Sequence, residues 1–183
     1  MLQVFDIIGP IMIGPSSSHT AGAVRIGKYA RSVLGKKPVK AVIQFSGSFA
    51  KTYKGHGTDK AVIAGILGMD TDDARIRSSM QIATEEGLDF TFIEEDIDGA
   101  HPNTAEITLT DEAGRTALIR GASIGGGNII INKINCFFAS NNIGNNIRNF
   151  TILDNYTVDK KSTSFNVILD FWFDFLNQNL LSK

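Results

Sequence analysis

Apolar and polar residues along the first 134 positions switch repeatedly between the two periods that distinguish strands from helices. Residues 2–8 form a short apolar run, a strand candidate. Residues 39–46 alternate through Val39, Ala41, Ile43 and Phe45 as a half-buried strand. Between them, GPIMIGPSSSHT at 9–20 carries two Gly-Pro steps and a serine run and reads as a loop. Thr20 then caps a helix over 21–34, whose apolar face is Ala23, Ile26, Ala30 and Val33, with Gly35 as its stop. Residues 47–57 read as a second polar, glycine-bearing loop ending in GHG. A short helix runs from Thr58-Asp59 to Leu67 and ends at Gly68. Thr71 caps a further helix over 72–86, with Ile76, Met80 and Ala83 on one face and Gly87 as stop.

After that the pattern is all strand: 88–94, a hairpin of 104–110 and 115–123 around DEAG, a glycine loop or bulge at 125–128, and IIINKI. The order β-α-β-α-α-β-β-β-β puts helices early and strands late. It predicts an α+β fold, a mixed sheet with helices packed on one face, rather than a doubly wound parallel sheet.

Composition changes this picture near residue 135. The first 134 residues hold 17 of the 18 glycines and three asparagines, whereas 135–183 hold one glycine, ten asparagines and seven of the twelve phenylalanines. The chain divides accordingly into a body, 1–134, and a distinct tail, 135–183. With 183 residues and a net charge of −1, neither a nucleic-acid binder nor a membrane-surface binder is indicated. No apolar window reaches the ~18 residues of a spanning helix. The N-terminus lacks the basic start of a signal peptide, so a cytoplasmic location is expected. The single cysteine, Cys136, excludes an intrachain disulfide, and one thiol cannot by itself hold an iron–sulfur cluster.

Three segments carry candidate chemistry. In GPSSSHTAGA, Ser16, Ser17, Ser18 and Thr20 lie where a helix begins, and a helix start presents unpaired backbone N–H groups and partial positive charge. A carboxylate or phosphate suits that environment, and His19 beside it can take or give a proton. The plainer reading is a helix cap with an exposed histidine. In GHGTD, His56 can project from between two glycines just before another helix; taken alone the motif reads as a surface turn. ASIGGGN has neither P-loop nor dinucleotide spacing. Its Asn128 either orients a substrate carboxylate or amine or caps a turn. His101, in HPN, reads as a turn residue.

FDIIGPIMIGPSSSHTAGAVRIG, GHGTDKA, HPNTAEI and GASIGGGN, in that order over residues 3–134, together resemble the beta subunit (or beta domain) of the iron–sulfur-dependent bacterial L-serine dehydratase. That resemblance implies a lyase that removes water and then ammonia from L-serine, giving pyruvate. It implies a [4Fe–4S] cluster acting as a Lewis acid on the serine hydroxyl, held by cysteines of a partner alpha subunit. It assigns catalytic or site roles to His19 and His56, and the donors Ser16, Ser17, Ser18, Thr20 and Asn128 are read beside them as substrate-binding. No metal ligand is assigned to this chain. The fold it implies is shared with the allosteric substrate-binding domain of some phosphoglycerate dehydrogenases. Homo-oligomerisation is left open.

The tail departs from that family, in which a small ACT-type domain commonly follows. Its Asn, Ile, Phe and Lys bias is what an AT-rich gene yields in a shifted frame. A divergent or frame-shifted tail is expected, or a genuine one with a short helix around 165–181. Three readings follow: a subunit completing a dehydratase site, a non-catalytic domain that binds an anionic metabolite, and an inactive remnant.

Overall fold

The computed structural model describes residues 10–138, 148–152 and 156–158, with side-chain surroundings through Cys136. The strand expected over 2–8 and the helix expected over 165–181 lie outside the described residues.

A π-helical turn, Ser17–Gly22, runs directly into α1 (Ala23–Leu34), and Gly35 closes α1 in the left-handed conformation. Then come β1 (Pro38–Gly47), α2 (Ser48–His56), α3 (Thr58–Ile66), a 3₁₀ turn (Ala74–Ser78) and α4 (Ser79–Glu85). The strands β2 (Asp89–Glu94), β3 (Asn103–Asp111), β4 (Thr116–Gly125), β5 (Asn128–Phe138), β6 (Arg148–Ile152) and β7 (Tyr156–Val158) follow.

The sheet order is β2-β1-β3-β4-β5-β6, with β7 also paired to β5. Among the described strands only β1 and β2 are parallel, in register from Lys40↔Asp89 to Phe45↔Glu94. A parallel pair needs a long crossover, and α2, α3 and α4 supply it. The remaining pairs are antiparallel, so the sheet is mixed and the fold is α+β. Strand β5 crosses the compositional boundary near 135 without a break, and both tail strands pair with it.

Alternation sends Ile43 and Phe45 of β1, Ile107 of β3, Ile119 of β4 and Ile129 and Ile131 of β5 into the core, where each is at most 1% exposed. Val24 and Ile26 of α1 and Ile63 and Ile66 of α3 are buried in the same cluster. At ~1.5–3 kcal/mol for each large apolar side chain removed from water, this layer supplies the main drive to fold. Helices α1 and α3 approach so closely that a Cβ on Gly27 would lie 2.3 Å from the Val62 carbonyl oxygen, and one on Gly65 2.1 Å from that of Val24. The two glycines therefore set the spacing of the helix layer. Among the described residues no helix is long and apolar enough to cross a membrane.

Three local expectations are corrected. Residues 48–56 are helical, not loop, because Phe49 and Tyr53, one turn apart, bury one face against Phe45 and Phe92. The first helix begins at Ser17 and is capped by Ser16 rather than Thr20: the Ser16 hydroxyl accepts the His19 backbone N–H at 3.1 Å. The helix expected over 72–86 is split. Asp73 caps the 3₁₀ turn through the Arg75 N–H, while the Thr71 hydroxyl donates to the Ile11 carbonyl. Ser79, not Met80, is buried there, and it donates to the Lys60 carbonyl.

Candidate functional site

One end of the sheet gathers the candidate chemistry. The C-terminal end of β1 pairs with the start of β3 (Gly47↔Asn103), and β3 in turn faces the far end of β4 (Thr104↔Ala122). Strand β4 then turns into β5 through Gly126-Gly127, both at positive φ, in a two-residue hairpin connection; this is what the GGGN segment is for. The π-helical turn packs against this end. The Arg25 guanidinium donates to the Gly127 carbonyl at 2.6 Å, and a Cβ on Gly22 would strike the Ser123 hydroxyl at 2.2 Å. Three motifs distant in sequence thus converge.

His19 lies within the π-helical turn, not in a loop. Its Nδ1 is 3.4 Å from the Ser16 hydroxyl and its Nε2 is 3.3 Å from the Ser48 hydroxyl. Its ring centroid is 5.2 Å from that of Phe49 and 4.7 Å from that of His56, which meets it edge-on at 70°. The meeting of the two histidines follows from α2. Phe49 and His56 are seven residues apart, two helical turns, and so lie along one face. His56 is exposed and His19 half-buried. Burial first, and the neighbouring His56 second, hold the His19 imidazole below its ordinary pKa of 6.5, so it is neutral at pH 7. A neutral half-buried imidazole beside an open face is equipped to accept a proton.

The six other residues singled out by sequence occupy different surroundings. Ser16 is the helix cap; Ser17 and Ser18 are half-buried in the first turn. Thr20 is 2% exposed, and its hydroxyl has no partner among the described residues; a Cβ on Gly14 would lie 2.5 Å from it. Asn128 opens β5 with its carboxamide oxygen buried and without a partner among the described residues, and alternation puts it on the face opposite Ile129 and Ile131. His101 is exposed and accepts the Asn103 N–H at 3.1 Å, which is turn chemistry.

Sequence reading missed Ser48 and the polar groups beneath the π-helical turn. Ser123 and Thr58 are fully buried, and among the described residues neither their hydroxyls nor the buried Asn103 carboxamide oxygen has a partner. The Asn103 amide nitrogen donates to the Ser123 carbonyl at 3.5 Å. Asp59, 8% exposed at the start of α3, accepts the Lys60 N–H, and burial pushes its carboxyl up. The Phe49-Tyr53-His56 spacing was the signal that would have found α2, and with it Ser48.

The described residues of this chain offer no set of ligands for a metal cluster. Among the described residues no three His, Cys, Asp or Glu side chains converge. Cys136 sits on β5, where burial pushes its thiol up to about 11, the wrong direction for a thiolate ligand.

A family model for the serine dehydratase beta chain matches residues 3–133. The "Probable L-serine dehydratase, beta chain" of Bacillus subtilis (strain 168) is 58% identical over 135 residues, 74% of this chain and 61% of that protein. The "L-serine dehydratase, beta chain" of Peptoniphilus asaccharolyticus is 45% identical over 134 residues, 73% of this chain and 60% of that protein. "L-serine dehydratase 2" of Escherichia coli (strain K12) is 44% identical over 84 residues, 43% of this chain and 18% of that protein. The chain thus spans about three fifths of the length of the two beta chains it matches. The match contains the π-helical turn, the paired histidines and the β4–β5 hairpin that meets them, and on that ground the chain belongs to the serine dehydratase beta chain family.

Proposed function

We propose that this chain is the beta component of an L-serine dehydratase and completes an active site with an alpha subunit. The observation that carries the reading is His19, held neutral between two serine hydroxyls with His56 edge-on at 4.7 Å. In the reading, the substrate carboxylate lies at the start of the π-helical turn. Hydroxyls of Ser17 and Ser18 and backbone N–H groups hold it there, and charge-assisted bonds of this kind are the strong ones. This presents the α-carbon to His19, which takes the α-proton. The C–O bond then breaks, and the hydroxyl departs as water with the proton that His19 has taken. The aminoacrylate left behind is protonated at its β-carbon, and hydrolysis of the resulting imine releases pyruvate and ammonia. His56 hydrogen-bonds or repels the charge that develops on His19. Asn128 has a supporting role toward the substrate amine or carboxylate.

The proposal leaves the [4Fe–4S] cluster with the cysteines of the alpha subunit, since the thiol of this chain is a poor ligand. The exposed flank of His56 supports a partner covering the site. A cytoplasmic location belongs to the same reading. The family match ending at residue 133 supports treating 1–134 as the dehydratase unit and 135–183 as a divergent or frame-shifted tail in place of an ACT-type domain. Resequencing the gene and its downstream frame tests that part.

A second reading is favoured by the buried unpartnered hydroxyls of Thr20 and Ser123. It makes the domain a non-catalytic anion binder, as in the allosteric substrate-binding domain of phosphoglycerate dehydrogenases. Anaerobic co-expression with an alpha subunit and a pyruvate assay on L-serine separates the two: turnover supports the dehydratase, and serine binding without turnover the sensor.

A further inference from the structure

We propose that Ser48 is a positioning residue that fixes the tautomer of His19, holding Nε2 as the bare, proton-accepting nitrogen. The inference rests on the dehydratase reading for its purpose but not for its test. Ser48 is the first residue of α2, and its place is determined from several sides. Gly47 turns the chain out of β1 at φ 61°, where a Cβ would lie 2.7 Å from the Pro102 backbone. The Gly47 N–H donates to Asp96 Oδ1 at 2.8 Å, and the Phe49 N–H donates to the Pro102 carbonyl at 3.2 Å. The Ser48 hydroxyl therefore arrives 3.3 Å from Nε2 on a backbone anchored before and after it.

The proton assignment follows from what surrounds each hydroxyl. At the N-terminus of a helix the backbone offers donors and almost no acceptors. A hydroxyl there lacks a backbone acceptor for its proton, and the Nε2 lone pair is the acceptor within reach. The partial positive charge of the same helix end opposes a proton on Nε2. On the other side of the ring, the Ser16 oxygen already accepts the His19 backbone N–H, and its second lone pair faces Nδ1 at 3.4 Å. The Ser16 side accommodates Nδ1–H as a donor, and the Ser48 side selects the pairing in which Nδ1–H donates to Ser16 and Ser48 O–H donates to Nε2. In the reaction the substrate's α-proton takes the place of the Ser48 proton at that lone pair. Sequence reading assigned nothing to Ser48.

The test is nitrogen NMR of the full chain labelled at histidine, above the pH at which His19 is neutral, with His19→Gln to assign its signals. In the unaltered chain Nδ1 carries the proton and Nε2 has the shift of an unprotonated ring nitrogen. Ser48→Ala moves the tautomer ratio toward Nε2–H by roughly 2- to 12-fold, the worth of one intramolecular hydrogen bond. Ser48→Thr restores it, and Lys51→Ala, exposed on the same helix, leaves it unchanged. In the assembled complex Ser48→Ala lowers kcat by a similar factor with KM held, and Ser48→Thr recovers it. A protonated Nε2 in the unaltered chain overturns the proposal without any variant having to fold. So does an unchanged ratio in a folded Ser48→Ala. Neither result depends on turnover, so a complex without serine dehydratase activity refutes the functional reading and leaves this one to be judged by NMR.

Discussion

Gly65→Ala isolates the contact that keeps the two histidine-bearing segments together. Helix α1 continues the turn that carries His19, and α3 begins two residues after His56. A methyl at 65 would stand 2.1 Å from the Val24 oxygen and 2.7 Å from the Lys28 nitrogen, against an ordinary contact that begins at 3.4 Å. The shortfall of about 1.3 Å is against backbone, so no side-chain rotation relieves it. Overpacking by one carbon typically costs ~1–3 kcal/mol, and a backbone clash belongs at the upper end. Alanine regains ~1 kcal/mol of helix propensity over glycine. The net is a destabilisation of about 2 kcal/mol, or roughly 4–8 °C in Tm for a domain of this size. Gly55 is the matched control: it lies inside α2 with nothing within 4 Å of its missing Cβ. Gly55→Ala should raise stability by ~0.5–1 kcal/mol. The assay is thermal and urea unfolding of both variants beside the unaltered chain. An unchanged or raised Tm for Gly65→Ala would refute the packing argument, because propensity alone would then have won.

Ser16→Ala should cost ~0.5–2 kcal/mol of stability as a lost cap, whereas Ser17→Ala or Ser18→Ala should raise KM for L-serine by roughly 10- to 150-fold; steady-state kinetics with parallel melts separates them. Because the His19 pKa is depressed in the folded chain, its contribution to stability is complete above pH 6.5 and is lost as pH falls through the lower folded value. Urea midpoints at pH 7.5 and pH 5 should therefore differ more for the unaltered chain than for His19→Gln. With its thiol pushed up to about 11, Cys136 should react with a disulfide reagent at pH 8 roughly 10²-fold more slowly than a free cysteine, and a rate equal to that of glutathione would contradict its burial.

Much of the fold was legible because its signals are local. The Val39–Phe45 alternation, the α1 stripe with Gly35 and the DEAG hairpin each depend on residues that lie close together in the chain. Helix α2 was hidden because Gly55 and Gly57 and the polar Lys51, Thr52 and Lys54 dilute a two-residue apolar face. That face counts only once Phe45 and Phe92 are known to sit beneath it. Thr20 was the natural cap by type, but the helix starts at Ser17, well before the apolar stripe that opens at Ala23, through a π-helical turn that the 3.6-residue period does not reveal. The two histidine motifs were legible as chemistry. Their 4.7 Å meeting was not, since it depends on α1 and α3 packing glycine to backbone across about forty residues of chain.

The central claim is that the paired histidines of this chain serve a dehydratase site completed by an alpha subunit. The most direct measurement is pyruvate formation from L-serine by the anaerobically assembled complex, with His19→Ala and His56→Ala assayed beside it at equal cluster content. The account expects turnover by the unaltered complex and a fall in kcat of roughly two to four orders of magnitude for whichever histidine moves the proton, His19 first. A loaded complex that makes no pyruvate, or kcat unchanged in both variants, would contradict it.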